Sequence, residues 1–202
     1  MRRLLMNLFG RPHGLLGRIG GRILAVTNKQ INQWTVSLLD IELEDRILKI
    51  GFGPGIAAKM ISDMIGNGKY IGIDPSEVTL SQAQKRNATA IREGKVELIL
   101  ADVERLPVFD MRIDKIFSIN SIIFWKNPIT QLKELQSRMT PGGIIAITLQ
   151  RRSKGANDET TYEEGKKILL CPKEAGFSQI RFEKMKTRPA LTIRVLGENR
   201  PV

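Results

Sequence analysis

The stretch "RILKIGFGPGIAAKMI", Arg46 to Ile61, constrains the fold more than any other part of the chain. It reads as a buried strand, a glycine-rich turn and a helix. A strand that feeds a helix through so short a turn opens a βαβ unit, and a parallel strand must follow. The residues downstream supply it. "KYIGID" is a strand, "PSEVTLSQAQKRNATAI" a helix, "VELILAD" and "IDKIFSIN" strands. "PITQLKELQSRM" is a helix, "PGGIIAITLQ" a strand and "ETTYEEGKKILLCPKEAGF" a helix. The last two strands, "SQIRFEKM" and "LTIRVLG", have only a short loop around Pro189 between them, which predicts an antiparallel hairpin. The fold class is therefore α/β: a doubly wound, seven-stranded sheet, mostly parallel with an antiparallel last strand.

The residues before this unit have a different character. Leu4, Leu5, Leu8, Phe9, Leu15, Leu16, Ile19, Ile23 and Leu24 recur at roughly helical spacing, with arginines between. Six residues, Gly10, Pro12, Gly14, Gly17, Gly20 and Gly21, interrupt the pattern, so short broken helices are expected. In "TNKQINQWTVSLLD", Thr27 and Gln30 fit a capping box, and Ile31, Trp34 and Leu38 line one face of a helix. Residues 1–40 are expected to form an N-terminal helical lid or extension, and residues 41–202 the sheet domain.

The chain has 202 residues and a formal net charge of +11, unevenly spread. Arg2, Arg3, Arg11, Arg18, Arg22 and Lys29 precede the first acid, Asp40. Further basic residues gather at Arg151, Arg152 and Lys154, and again from Lys184 to Arg200. That asymmetry suits an anionic partner: nucleic acid, a phospholipid surface or an acidic substrate. It also suits a plainly soluble basic protein. A single cysteine, Cys171, excludes an internal disulfide and a multi-cysteine zinc site, and a reducing cytoplasm is the expected setting. No window approaches the ~18 apolar residues of a membrane-spanning helix. The leucines beside Arg2 and Arg3 form too short a run for a signal peptide.

In "GFGPG", Gly51, Gly53 and Gly55 fall at the carboxyl end of the first strand, where glycine permits positive φ and close approach of a ligand. Ligands of open α/β sheets bind at those carboxyl ends, where the strand order reverses. Asp74 ends the second strand, and a carboxylate there can accept both hydroxyls of a ribose. These features fit NAD and S-adenosylmethionine alike.

Five segments in order carry a resemblance: "ILKIGFGPG", "GIDPS", "ADVERLPV", "FSINSIIFWKNP" and "RMTPGGIIAIT", closed by "AGFSQIRFE…LTIRVLG". From Arg46 onward the chain resembles the class I S-adenosylmethionine-dependent methyltransferases, whose sheet is Rossmann-like, in the small-molecule branch similar to ubiquinone/menaquinone methyltransferases. The resemblance implies S-adenosylmethionine as cofactor, held around Gly51, Phe52, Gly53 and Gly55, with Asp74 on the ribose. It implies Pro75 and Ser76 beside the adenine, Asp102 and the Val103 backbone on its edge, and Asn120 and Ser121 beside the sulfonium. Ile123, Phe124 and Trp125 would wall the acceptor side, plain core packing being the other reading.

Lys49 departs from the pattern, because the family usually has Glu or Asp there, near the cofactor's ammonium. Two like charges ~4 Å apart cost roughly 4 kcal/mol at an effective dielectric of 20. Lys49 could turn to the cofactor's carboxylate, pair with Asp45 or Glu44, or weaken cofactor binding, and the last keeps open a non-catalytic protein of this fold.

Methyl transfer from a sulfonium needs alignment and water exclusion, and a base only for an acceptor that holds its proton. Candidate bases are His13, the single histidine, whose plainer reading is a helix-start or surface residue, and, as the weaker candidate, Tyr162 on or near the loop before the last helix. "NSIIFW" stands where amino methyltransferases of nucleobases carry Asn/Asp-Pro-Pro-Tyr/Phe. The expected acceptor is a small molecule or a lipid-like one, with an anionic membrane surface as a further partner for the basic N-terminus. RNA is the alternative that the charge suggests, against which stand 5% aromatic content and no attached RNA-binding module.

Overall fold

The computed structural model describes residues 28–153 and 155–200. Its seven strands are β1 (Arg46–Ile50), β2 (Lys69–Asp74), β3 (Val96–Leu100), β4 (Ile113–Ile119), β5 (Met139–Leu149), β6 (Ser178–Met185) and β7 (Thr192–Glu198). They form one sheet in the order β3-β2-β1-β4-β5-β7-β6. Pairing is parallel from β3 through β5, and β7 runs antiparallel to both β5 and β6. The chain leaves β1 for β2 on one side and returns to β4 on the other. The strand order therefore reverses at β1/β4, directly above the glycine turn.

The helices are α1 (residues 28–36), α2 (Ile56–Ser62), α3 (Glu77–Arg86), α4 (Ala88–Arg92), α5 (Pro128–Ser137) and α6 (Asp158–Ala175). Strand residues alternate between two apolar layers, as the period of two requires. Ile47, Tyr70 and Phe117 pack with Ala57, Ala58 and Ile61 of α2, Ala90 of α4 and Val36 of α1. Leu48, Ile50 and Ile116 pack with Leu132 and Leu135 of α5 and Ile168 of α6. Helix starts follow local chemistry. Ser76 accepts from the Thr79 N–H ahead of α3, Pro128 opens α5, and Asn157 and Thr160 cap α6 reciprocally.

Two expectations from the sequence change. The single helix read over "PSEVTLSQAQKRNATAI" is two, α3 and α4, parted at Asn87. The Asn87 carboxamide donates to Ala83 O at 2.8 Å and to Gly55 O at 3.1 Å, so a side chain supplies backbone partners where the helix stops. The inward face of α1 is not Ile31, Trp34 and Leu38. It is Ile31, Asn32, Thr35 and Val36, all buried, while Trp34 and Leu38 flank it half-buried. Polar residues occupy that face because the sheet offers them partners. Thr35 Oγ1 meets Thr148 Oγ1 at 2.8 Å, and Asn32 Oδ1 accepts from Lys49 Nζ at 3.2 Å. The fully buried Arg194 completes the attachment, donating to Trp34 O at 2.8 Å and to Glu183, with its guanidinium 4.3 Å from the Trp34 ring centroid. Thr27, half of the proposed capping box, lies outside the described residues.

Candidate functional site

The glycine turn has a protein side and an open side. Gly51, Gly53 and Gly55 all have positive φ, at 75°, 56° and 77°. A Cβ on Gly51 would stand 2.9 Å from Ser121 Cβ, and one on Gly55 would stand 2.4 Å from Asn87 Nδ2 and 2.9 Å from Ala83 Cβ. A Cβ on Gly53 would meet nothing within 4 Å. Gly51 and Gly55 thus admit their own neighbours closely, and Gly53 faces free space. Phe52 turns inward and is 1% exposed. Its N–H donates to Ile73 O and its carbonyl accepts from Gly55 N–H, so it packs the turn and its one backbone donor is already engaged.

Asp74 stands across from Gly53. Its Oδ2 accepts from the Gly53 N–H at 3.0 Å and its Oδ1 from the Ser76 N–H at 3.1 Å. Each carboxylate oxygen keeps lone-pair capacity for a further donor. Burial raises the Asp74 pKa, while these two N–H groups and the charge of Lys49 pull it back down. Pro75 is exposed and Ser76 caps α3. Beyond β3, exposed Asp102 closes a turn by accepting from the Glu104 N–H at 3.1 Å, and Val103 is buried in the core. Asn120 has φ +58° and accepts at Oδ1 from the Gln150 N–H at 2.7 Å, joining the ends of β4 and β5. Ser121 donates to Ile50 O at 3.1 Å and bonds Ser118 Oγ at 2.6 Å, joining the ends of β4 and β1.

Lys49 is 4% exposed and lies beneath α1. Of the three routes open to it, pairing with Asp45 or Glu44 is not taken. Asp45 faces Lys115 at 4.0 Å, and Glu44 accepts from Asn67. Lys49 Nζ instead donates to Asn32 and sits 5.2 Å from the Phe117 ring centroid. Burial pushes its pKa down to about 7 against the opposing pull of Asp74. An acid at this position would be recognised from sequence; its replacement's partner, Asn32, carries no motif.

The acceptor-side residues divide. Trp125 is 7% exposed and belongs to the core, whereas Ile123 and Phe124 are 51% and 46% exposed. Tyr162 is remote from the turn. Its ring packs edge-on against Phe182 of β6 at 5.7 Å, at the sheet edge beyond β4, β5 and β7. His13 lies outside the described residues. The sequence reading missed Asn87, which props Gly55, and Gln150, which holds Asn120. An asparagine inside a helical pattern was the available signal for the first, and nothing in the sequence marks the second.

A methyltransferase-domain profile matches residues 47–143, which run from β1 to the start of β5. An uncharacterized methyltransferase of Bacillus subtilis is 33% identical over 175 residues, covering 87% of this chain and 94% of that protein. The chain belongs to the class I S-adenosylmethionine-dependent methyltransferases. A tRNA U34 carboxymethyltransferase of Nautilia profundicola is 30% identical over 156 residues, 76% of this chain but 45% of that protein. A chain in the complex of the Haloferax volcanii Trm112 methyltransferase activator with a methyltransferase superposes with a TM-score of 0.72 at 15% identity. The match covers 90% of this chain and 94% of that one, and the likeness is one of fold. The methyltransferase uses S-adenosylmethionine, and the residues present fit that cofactor. Gly53 opens onto free space beside a carboxylate with unused acceptor capacity, at the reversal of the strand order.

Proposed function

We propose that this methyltransferase acts on a small-molecule or lipid-like acceptor, in the branch similar to ubiquinone/menaquinone methyltransferases. The observation that carries the reading is the step after β4. There Trp125 is anchored in the core and Ile123 and Phe124 project outward, offering an apolar surface beside Asn120. When bound, the cofactor supplies an electrophilic methyl group on a sulfonium. Gly53 and Asp74 would hold its ribose side, Asp102 and Val103 would border the adenine, and Asn120 and Ser121 would stand at the reacting end. The chain's own task is to align the acceptor and exclude water, since the donor is already activated. No helix among the described residues is long and apolar enough to cross a membrane. Half-buried Cys171, its thiol pKa raised by burial, suits a reducing cytoplasmic setting.

RNA is the second reading, favoured by the net charge of +11 and by the likeness to a tRNA-modifying enzyme. The test is transfer of tritiated methyl from S-adenosylmethionine to two pools, a lipid and metabolite extract and total tRNA. Counts in the extract that vanish with Asp74→Ala support the proposal. Counts only in tRNA refute it. Calorimetric titration with S-adenosylmethionine, with NAD as control, checks the cofactor site separately.

A further inference from the structure

Two basic clusters far apart in sequence meet at the carboxyl edge of the sheet. Gln150, 2% exposed, gathers them. Its Nε2 reaches Thr187 Oγ1, Arg188 O and Ala190 O at 2.9, 3.0 and 2.9 Å, which seats the β6–β7 turn against the end of β5. Its Oε1 accepts from Arg152 Nε at 2.8 Å. Its backbone N–H holds Asn120, so Arg152 is oriented by the same residue that fixes the end of β4.

Among the described residues no acid pairs with the Arg152 guanidinium. Its Nη2 is buried without a hydrogen-bond partner, and burial lowers its pKa. Exposed Lys186 and Arg188 belong to the β6–β7 turn that Gln150 seats. None of these three cations is in an ion pair among the described residues. The acids of this region are engaged elsewhere: Glu183 with Arg194, Glu164 with Arg151, and Asp158 with the Leu191 N–H at 2.6 Å. A buried donor without a partner is costly, and a guanidinium beside two further cations is repaired by one compact anion.

We infer that Arg152, held by Gln150 beside the turn that carries Lys186 and Arg188, is an anion subsite for one carboxylate or phosphate monoester of the methyl acceptor. The inference rests on the small-acceptor reading and gives that acceptor a second chemical feature. It has an apolar part for Ile123 and Phe124 and a terminal anion for Arg152. A polyanionic strand fits less well, because Arg152 is partly enclosed and the basic groups sit in one strand end and one turn.

The probes are inorganic phosphate and acetate, titrated into protein carrying ¹⁵N-labelled arginine at constant ionic strength. The Arg152 side-chain resonance is assigned by its loss in Arg152→Gln. It should shift saturably with phosphate or acetate and not with chloride. Arg188→Gln should weaken that binding severalfold, and Arg152→Lys should keep some of it, the loss being about tenfold for a charge-assisted contact. Affinity for S-adenosylmethionine should stay within about twofold in Arg152→Gln, since only the acceptor side is altered. Vesicles containing phosphatidic acid separate the sources. Arg152-dependent vesicle binding assigns the anion to a lipid headgroup, and phosphate binding without it assigns a soluble acceptor. An unmoved Arg152 resonance overturns the inference. So does single-stranded RNA that binds far more tightly than phosphate and loses affinity steeply with salt. If S-adenosylmethionine does not bind but phosphate does, the functional reading fails and the anion subsite stands.

Discussion

Raising the pH from 7 to 9 should stabilise this protein through Lys49 alone. The folded pKa of Lys49 is pushed from 10.5 down to about 7 by burial. Below pH 7 the group is protonated in both folded and unfolded chains, so it adds no slope. Between 7 and 10.5 the unfolded chain holds a proton that the folded one has released, and stability rises with pH. The slope is about 1.4 kcal/mol per pH unit, so roughly 2.5 kcal/mol accrues between pH 7 and 9. The assay is urea unfolding of the wild type and of Lys49→Met at half-unit steps from pH 6 to 9, without cofactor. The difference between the two isolates Lys49 from every other titrating group. Lys49→Met should be the more stable protein at pH 6, because it removes a buried cation whose hydrogen-bond partner among the described residues is neutral Asn32 and which rests on the Phe117 ring. The gap should close steadily above pH 7. Asp74→Asn in both backgrounds should start that closure at lower pH, since the Asp74 charge raises the Lys49 pKa. A difference that stays flat from pH 6 to 9 would refute the reasoning, as it would mean that Lys49 titrates like a solvated lysine.

Gly53→Ala should weaken S-adenosylmethionine binding in calorimetry by more than it lowers the urea midpoint. Gly55→Ala should cost about 3 kcal/mol of stability with or without cofactor, from overpacking against Asn87 and Ala83 plus a left-handed alanine. Thr35→Val should cost about 1–2 kcal/mol by leaving Thr148 unpaired, and Thr35→Val with Thr148→Val should recover most of that loss. Trp125→Ala should cost about 3–5 kcal/mol of unfolding free energy. Phe124→Ala, at an outward position, should cost under about 1 kcal/mol and raise KM for the acceptor.

The sheet and its crossovers were legible because strands β1 to β5 are apolar runs, separated by helical periods except at the link from β3 to β4. The antiparallel end followed from the short loop at Pro189. The inward face of α1 was not legible. Asn32 and Thr35 look like surface residues until the sheet shows Lys49 and Thr148 opposite them. Asn87 sits inside a helical pattern, and the bond that competes with the helix reaches Gly55, 32 residues earlier. Phe52 sits inside the glycine motif, and only the register of β1 against β2 turns it toward Gly72 rather than outward. The Gln150 contacts join residues 30 and 40 positions away, which no local pattern encodes.

The glycine turn has an evolutionary consequence. Gly51 is demanded by Ser121 and Gly55 by Ala83 and Asn87, contacts that exist whether or not a ligand ever arrives. A descendant of this protein that had given up methyl transfer would still lose stability on replacing either one, and selection for folding alone would keep both. Such a lineage would go on displaying most of its fingerprint long after the activity had gone. No side chain crowds Gly53, so its left-handed backbone alone resists replacement, and it is the position where drift would show first.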